Sequence, residues 1–160
     1  MAFLHVKRVC FLLAISYKRS KIQSKNKRSY FGGGSMSRIP NEALVVLETV
    51  IYLPMVLSIF ERDCKAFEQG TFKLKRPYID LVHEAMKQVQ SELHAAHQYL
   101  QKNRLKIMRG NRDELFSEYI FIYNNNEEYR RYSNIRLRNR VEELLSIYLT
   151  QVQFKKEKDV

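Results

Sequence analysis

Cysteine is scarce in this sequence, with only Cys10 and Cys64 among 160 residues. The two lie far apart and fit no metal-ligand spacing, which argues against a disulfide-stapled secreted scaffold and for a reducing, cytoplasmic compartment. The sequence also lacks a glycine-rich phosphate loop, a Gly-x-Ser-x-Gly motif and a Ser/His/Asp arrangement of specific spacing. We therefore expect a protein that is not an enzyme and that needs no cofactor.

Acidic residues are absent from the first 35 positions, which hold eight basic residues. The whole chain has 28 Lys and Arg against 17 Asp and Glu, and its formal charge of +11 is typical of proteins with nucleic-acid or anionic-membrane partners. Residues 36–160 keep 20 basic residues against the same 17 acidic ones, a charge of +3. Most of the charge therefore belongs to a segment that lacks the pattern of a folded element.

The basic segment 1–35 has three interpretations. Its apolar run at 9–15 is too short for a bilayer, which takes about 20 residues, and no small-residue cleavage site follows. Gly32-Gly33 before Met36 fits a translated ribosome-binding sequence, so the first hypothesis is a leader read from a mis-assigned start. A glycine-serine linker left by cloning and a true basic arm stay open. The predicted organisation is a leader at 1–35, a domain at 36–154 and a charged tail at 155–160.

The longest apolar stretch of the chain follows Pro40 and extends to Phe67. Apolar side chains recur there every three or four residues, which predicts a helix that Pro54 should kink or interrupt. A second apolar stripe runs beside the first, so the helix is either central in its bundle or buried against another subunit. Glu48 and Pro54 make a membrane span unfavourable, and no membrane partner is expected. The second stripe is the predicted self-association face: Leu44, Leu47, Ile51, Met55 and Ile59.

Two further segments have helical patterns. Pro77 opens a stretch with apolar residues at alternating three- and four-residue spacing, and Ser133-Asn134 can cap a last helix. The region between them is ambiguous, because acidic residues at 113–114 favour a helix while 119–123 has high strand propensity. We predict an all-α fold, an antiparallel three- to four-helix bundle, with a short β-hairpin around residues 105–123 as the alternative.

Three histidines lie along one face of the second predicted helix. His94 and His97 have the i, i+3 spacing of some metal ligands in helical bundles, but His83 is about 16 Å from His94 along the axis. No Glu-x-x-His motif accompanies them, so we interpret them as exposed edge residues and expect no metal site. Cys64 falls on the apolar seam of the first helix and is interpreted as a buried small hydrophobe.

Arginines cluster near the start of the last predicted helix, interleaved with tyrosines. Such a cluster could hold phosphates or stack on nucleic-acid bases. Glutamates flank it closely, however, and Arg138–Glu142 and Arg140–Glu143 have the spacing of ordinary surface ion pairs. A solvated or paired face is therefore favoured, and an anion or nucleic-acid surface is the alternative for Arg130, Arg131, Arg136, Arg138 and Arg140.

The chain resembles a known family through three segments: IYLPMVLSIFERD at 51–63, FKLKRPY at 72–78 and RLRNRVEELL at 136–145. The family is the YhjD-like group of small uncharacterised Bacillus proteins, and the resemblance covers roughly residues 36–149. It implies a cytoplasmic protein of a spore-forming bacterium, and it implies no activity and no binding residues.

The functional expectation is a non-enzymatic cytoplasmic protein that acts by protein–protein interaction or self-association. A homodimer through the first helix is the simplest form. Aromatic residues of the second half support it, because tyrosine favours interfaces: Tyr119, Phe121, Tyr123, Tyr129, Tyr132 and Tyr148. The alternative is a nucleic-acid-associated regulator that uses the surface from Arg130 to Arg140.

Overall fold

The computed structural model describes residues 39–158, with side chains described as far as Val152. The predicted leader at 1–35 lies outside that range. The strands form one antiparallel sheet in the order β1-β2-β3. The elements are α1 (Asn41–Gln69), α2 (Arg76–Lys102), β1 (Lys106–Arg112), β2 (Phe116–Tyr123), β3 (Asn126–Ser133) and α3 (Asn134–Lys158).

The prediction of an all-α bundle is wrong, because the segment from β1 to β3 is a three-stranded sheet and the fold is α+β. The hairpin kept as the alternative corresponds to β1 and β2, whereas the third strand was not predicted at all. Ser117, Tyr119 and Phe121 are buried at alternate positions, which is the period of a strand. Burial of this face outweighs the helical spacing of the residues that follow it.

Both turns of the sheet use residues suited to tight reversals. Asn124 and Asn125 have φ angles of 49° and 59°, as the central positions of a type I′ hairpin turn require. Asp113 shapes the other turn, because its Oδ1 accepts hydrogen bonds from the backbone N–H of Leu115 and Phe116 at 2.8 and 2.6 Å. The acidic pair at 113–114 therefore begins a turn and not the predicted helix.

The three helices follow the sequence pattern more closely than the sheet does. α1 begins directly after Pro40, α2 has Pro77 in its first turn, and α3 begins at Asn134. α1 runs through Pro54 without interruption. Leu47, Val56 and Phe60 of α1 are at most 1 % exposed, so α1 is the central helix of the core.

The sheet lies at one end of the helices. Its inner face packs on the core through Tyr119, Phe121 and Tyr132, and the Tyr132 hydroxyl reaches Glu48 in the second turn of α1. From Glu48, α1 extends about 30 Å to its end, at 1.5 Å per residue. The loop at 70–75 that joins α1 to α2 is therefore at the end of the molecule opposite the sheet.

Candidate interaction surface

The structure places the predicted self-association face of α1 largely inside the chain's own fold. Leu47 is 0 % exposed and Ile51 is 3 % exposed, both within the core. Leu44, Met55 and Ile59 are half-buried and pack against the same core. The sequence left two explanations for the second apolar stripe, a helix central in its bundle or a helix buried against another subunit. The structure shows the first, because other elements of the same chain cover the stripe.

α1 also has the length and composition of a membrane-spanning helix. An 18-residue window within it passes that test, yet 56 % of the window is buried inside the fold. Core helices of soluble proteins pass the same test, so the observation is weak evidence for a membrane span.

A different apolar surface faces solvent, on the side of the sheet away from the helices. Residues directly opposite each other on neighbouring strands share a face. Met108 and Tyr129 there are 54 % and 60 % exposed, and Ile120 between them is half-buried. We define the outer sheet face as two cross-strand rows: Met108–Ile120–Tyr129 and Lys106–Ile122–Glu127.

Charge on the outer sheet face is arranged by strand. Lys106 stands on β1 and Glu127 on β3, in the same row, with Ile122 between them. The Tyr129 hydroxyl donates a hydrogen bond to Glu127 Oε2 at 2.9 Å, and this bond raises the pKa of Tyr129. Among the described residues, no acidic side chain forms an ion pair with Lys106. The face therefore has an apolar centre, a cation at its β1 edge and an anion at its β3 edge.

Glu118 extends this arrangement along β2. A Cβ atom at Gly110 of β1 would lie 2.8 Å from Glu118 Oε2 and 3.2 Å from Glu118 Cβ. Glycine at this position lets the Glu118 side chain cross toward the β1 edge, while Arg131 is its cross-strand partner on β3. The bulge between Arg109 and Arg112 contains this glycine.

A hydrogen-bond network joins the β1–β2 turn to the start of α3. The Asn134 side-chain amide donates to the backbone carbonyls of Asp113 and Glu114, each at 2.9 Å, and its Oδ1 accepts from the Ser117 hydroxyl at 2.7 Å. The hydrogen bonds from Phe116 and Leu115 lower the pKa of Asp113, as does Arg131, whose guanidinium lies 3.2 Å from Asp113 Oδ2. The turn is thus held firmly against α3.

The five predicted arginines are divided between β3 and α3, and the two on β3 lie on opposite sides of the sheet. Arg130 lies on the inner side of the sheet, paired with Glu128 and 5.6 Å from the Phe121 ring centroid. Arg131 lies on the outer side, 4.7 Å above the Phe116 ring. Arg140 pairs with Glu143 at 2.7 Å, as predicted from spacing. Arg136 and Arg138 are exposed on α3.

The sequence did not single out the basic residues of β1. Lys106, Arg109 and Arg112 stand on the free edge strand, with Arg104 just before it in a left-handed conformation at φ 53°. All four are exposed. The signal in the sequence was four basic residues and no acidic one along 104–112. Charged residues on an edge strand discourage uncontrolled sheet extension.

The histidines and Cys64 occupy the positions predicted for them. His83, His94 and His97 are all exposed, and His94 Nε2 lies 2.9 Å from Gln98 Nε2. Within residues 39–158, no group of three or more His, Cys, Asp or Glu side chains could hold a metal ion. Cys64 is 6 % exposed, and burial raises the pKa of its thiol.

The tyrosines predicted at interfaces are mostly internal. Tyr132 donates a hydrogen bond to Glu48 Oε1 at 3.1 Å, and Tyr148 donates one to Glu92 Oε2. Burial, then the neighbouring carboxylate, raises the pKa of both tyrosines. Burial raises the pKa of Tyr52 to about 12 beside the same Glu48. These groups join the elements, and of the predicted tyrosines Tyr129 is the one on the outer sheet face.

Comparison with known proteins places the chain in a family. Residues 38–153 match the model of a family described as YhjD protein. The chain belongs to the YhjD family. Its similarity to the Uncharacterized protein YhjD of Bacillus subtilis (strain 168) is 39 % identity over 114 residues, covering 71 % of this chain and 95 % of that relative. No solved structure matches the chain significantly. The resemblance drawn from the sequence is confirmed.

Proposed function

We propose that this member of the YhjD family is a non-enzymatic cytoplasmic protein that acts by self-association, as a homodimer formed through the outer sheet face. The observation that supports this most is the self-complementary pattern of the two cross-strand rows. Exposed Met108 and Tyr129 flank Ile120, and the neighbouring row ends in opposite charges at Lys106 and Glu127.

We consider two copies whose outer sheet faces stack on each other, related by a two-fold axis that runs parallel to the strands. This axis places β1 of one copy over β3 of the other. Each outward-facing residue of β1 then faces the β3 residue that belongs to the same cross-strand row in the second copy. Lys106 of one copy meets Glu127 of the other, Met108 meets Tyr129, and Ile120 meets Ile120. Glu118, which leans over Gly110, meets Arg131 of the second copy. The same face thus supplies both halves of its own contact.

The size of the face predicts a weak dimer. Three strands of seven or eight residues span roughly 14 by 27 Å, a footprint near 400 Å². This footprint is small beside the ~800 Å² per partner of standard protein complexes. We therefore expect a dissociation constant in the micromolar range. Arg130 and Arg131 lie on opposite sides of the sheet, which gives less support to the nucleic-acid alternative.

A charge-swap series in the full chain tests the proposed pairing. Lys106→Glu and Glu127→Lys each replace two attractive contacts per dimer with like-charge contacts, so each should weaken dimerisation about tenfold at low salt. The double variant Lys106→Glu/Glu127→Lys restores opposite charges and should return the dissociation constant to the wild-type value. Sedimentation velocity across 5–200 µM protein measures all four proteins.

Ile135→Glu is the control, because Ile135 is 70 % exposed on α3 and belongs to neither row. It should dimerise as the wild type does. Single variants that dimerise normally, or a double variant as weak as its parents, would show that Lys106 and Glu127 do not meet across the interface.

A further inference from the structure

The loop at 70–75 carries large apolar side chains that the fold leaves in solvent. Phe72 is 53 % exposed, Leu74 is 74 % exposed and Tyr78, just inside α2, is 50 % exposed. These are three of the eight exposed large hydrophobic residues in the described chain, within seven positions of each other. We call Phe72, Lys73, Leu74, Lys75, Arg76 and Tyr78 the loop tip.

The aromatic side chains of the loop tip form a fixed cluster. Phe67 at the end of α1 stacks on Tyr78, with ring centroids 5.6 Å apart and 11° between planes, and Phe72 lies 5.8 and 6.0 Å from the two. A Cβ atom at Gly70 would lie 3.0 Å from the Phe72 ring, so glycine makes room for it. The cluster holds the loop in shape and leaves Leu74 and one side of Phe72 exposed.

Positive charge surrounds these apolar side chains. The segment from Gln69 to Ile79 contains Lys73, Lys75 and Arg76 and no acidic residue. The Lys75 ammonium donates a hydrogen bond to the backbone carbonyl of Glu68 at 2.8 Å, which ties it to the end of α1. Lys73 and Arg76 are exposed. Apolar and cationic side chains therefore alternate on the same small projection.

We propose that the loop tip docks on the surface of an anionic lipid bilayer. Exposed aromatic and aliphatic side chains can enter the headgroup region, while lysine and arginine at the same level meet lipid phosphates. Because the loop tip lies opposite the sheet, α1 and α2 can touch a bilayer end-on, with Glu48 and the sheet packed on it about 30 Å away. This interaction differs from the sequence-based expectation of no membrane partner, which concerned a span through α1.

A single-tryptophan reporter tests this docking in the full chain, because the sequence contains no tryptophan. Phe72→Trp places the reporter in the loop tip, and Leu115→Trp places a control at the 65 % exposed residue of the β1–β2 turn. Vesicles of equal parts phosphatidylglycerol and phosphatidylcholine should shift the emission of Trp at position 72 to shorter wavelength, and brominated lipid should quench it. The control should show neither effect, and pure phosphatidylcholine should cause neither.

Neutralising the loop tip tests the electrostatic part. In the Phe72→Trp background, the double substitution Lys73→Gln/Arg76→Gln should lower the affinity for the mixed vesicles about 25-fold, as measured by the vesicle concentration that gives half of the emission shift. Unshifted emission at position 72 in protein that co-sediments with vesicles would overturn the proposal, because the basic residues at 1–35 would then account for the binding. Absence of any vesicle binding would overturn it too and would favour a protein partner for the loop tip. Circular dichroism confirms that each variant is folded.

Discussion

Two buried tyrosine hydroxyls connect elements that are distant in sequence. Tyr132 joins β3 to α1 through Glu48, and Tyr148 joins α3 to α2 through Glu92. In each pair a tyrosine hydroxyl donates to a glutamate side chain on another element. The periodicity of the sequence predicts that such tyrosines have apolar neighbours. It cannot predict their glutamate partners, which lie 84 and 56 positions away in the sequence and are brought near only by the tertiary structure.

Tyr148→Phe should lower the free energy of unfolding by about 1–2 kcal/mol, because Glu92 loses a donor in a partly buried place. Tyr129→Phe removes a similar tyrosine–glutamate bond at the exposed surface and should change stability by less than about 0.5 kcal/mol. Urea denaturation at neutral pH compares the two. Equal effects would mean that burial does not strengthen the Tyr148 contact.

At the scale of the elements, the helices were predictable, whereas the sheet was foreseen only in part, as the alternative hairpin around residues 105–123. The apolar spacing and the prolines at 40 and 77 define α1 and α2, because helix boundaries depend on local residues. In β2, both faces are apolar: Tyr119 and Phe121 face the core while Ile120 and Ile122 face outward. Because apolar and polar residues do not alternate along β2, the sequence identifies neither the strand nor its solvent-facing side. Both become clear only once the pairing with β3 is known.

The same limit applies to the candidate surfaces. The stripe on α1 is apolar enough for an interface, and only the packing of the sheet and the other helices shows that Leu47 and Ile51 are internal. The outer sheet face combines residues from three strands, so no single segment of sequence displays it. Cys64 and the histidines, whose exposure depends mainly on one helix face, were predicted correctly.

The junction between the β1–β2 turn and α3 gives the fold a dependence on acid. The pKa of Asp113 is lowered in the folded state, so its carboxylate stabilises the fold above its unfolded pKa, and this contribution is lost as pH falls through the folded value. The free energy of unfolding of the wild type should exceed that of Asp113→Asn at pH 7, and this difference should shrink as pH falls below about 4. Urea midpoints at a series of pH values measure the difference; a difference that does not change with pH would contradict a role for the charge.

For the whole molecule, the distribution of charge matters more than its total. Residues 1–35 hold eight of the 28 basic residues, and residues 36–160 have a charge of only +3. Within the described residues, charge is local: opposite signs stand at the two edges of the outer sheet face, and the segment of the loop tip, from Gln69 to Ile79, carries cations and no acidic residue. The first pattern suits a second copy of the chain, and the second suits an anionic surface.

The most direct test of self-association is the mass of the full-length chain in solution as its concentration rises. Sedimentation equilibrium should give the 19.2 kDa of one chain at low micromolar protein and approach twice that mass at about 200 µM. Met108→Glu, which places a charge in the centre of the outer sheet face, should keep the mass of one chain throughout. A wild-type mass of one chain at every concentration would contradict the homodimer.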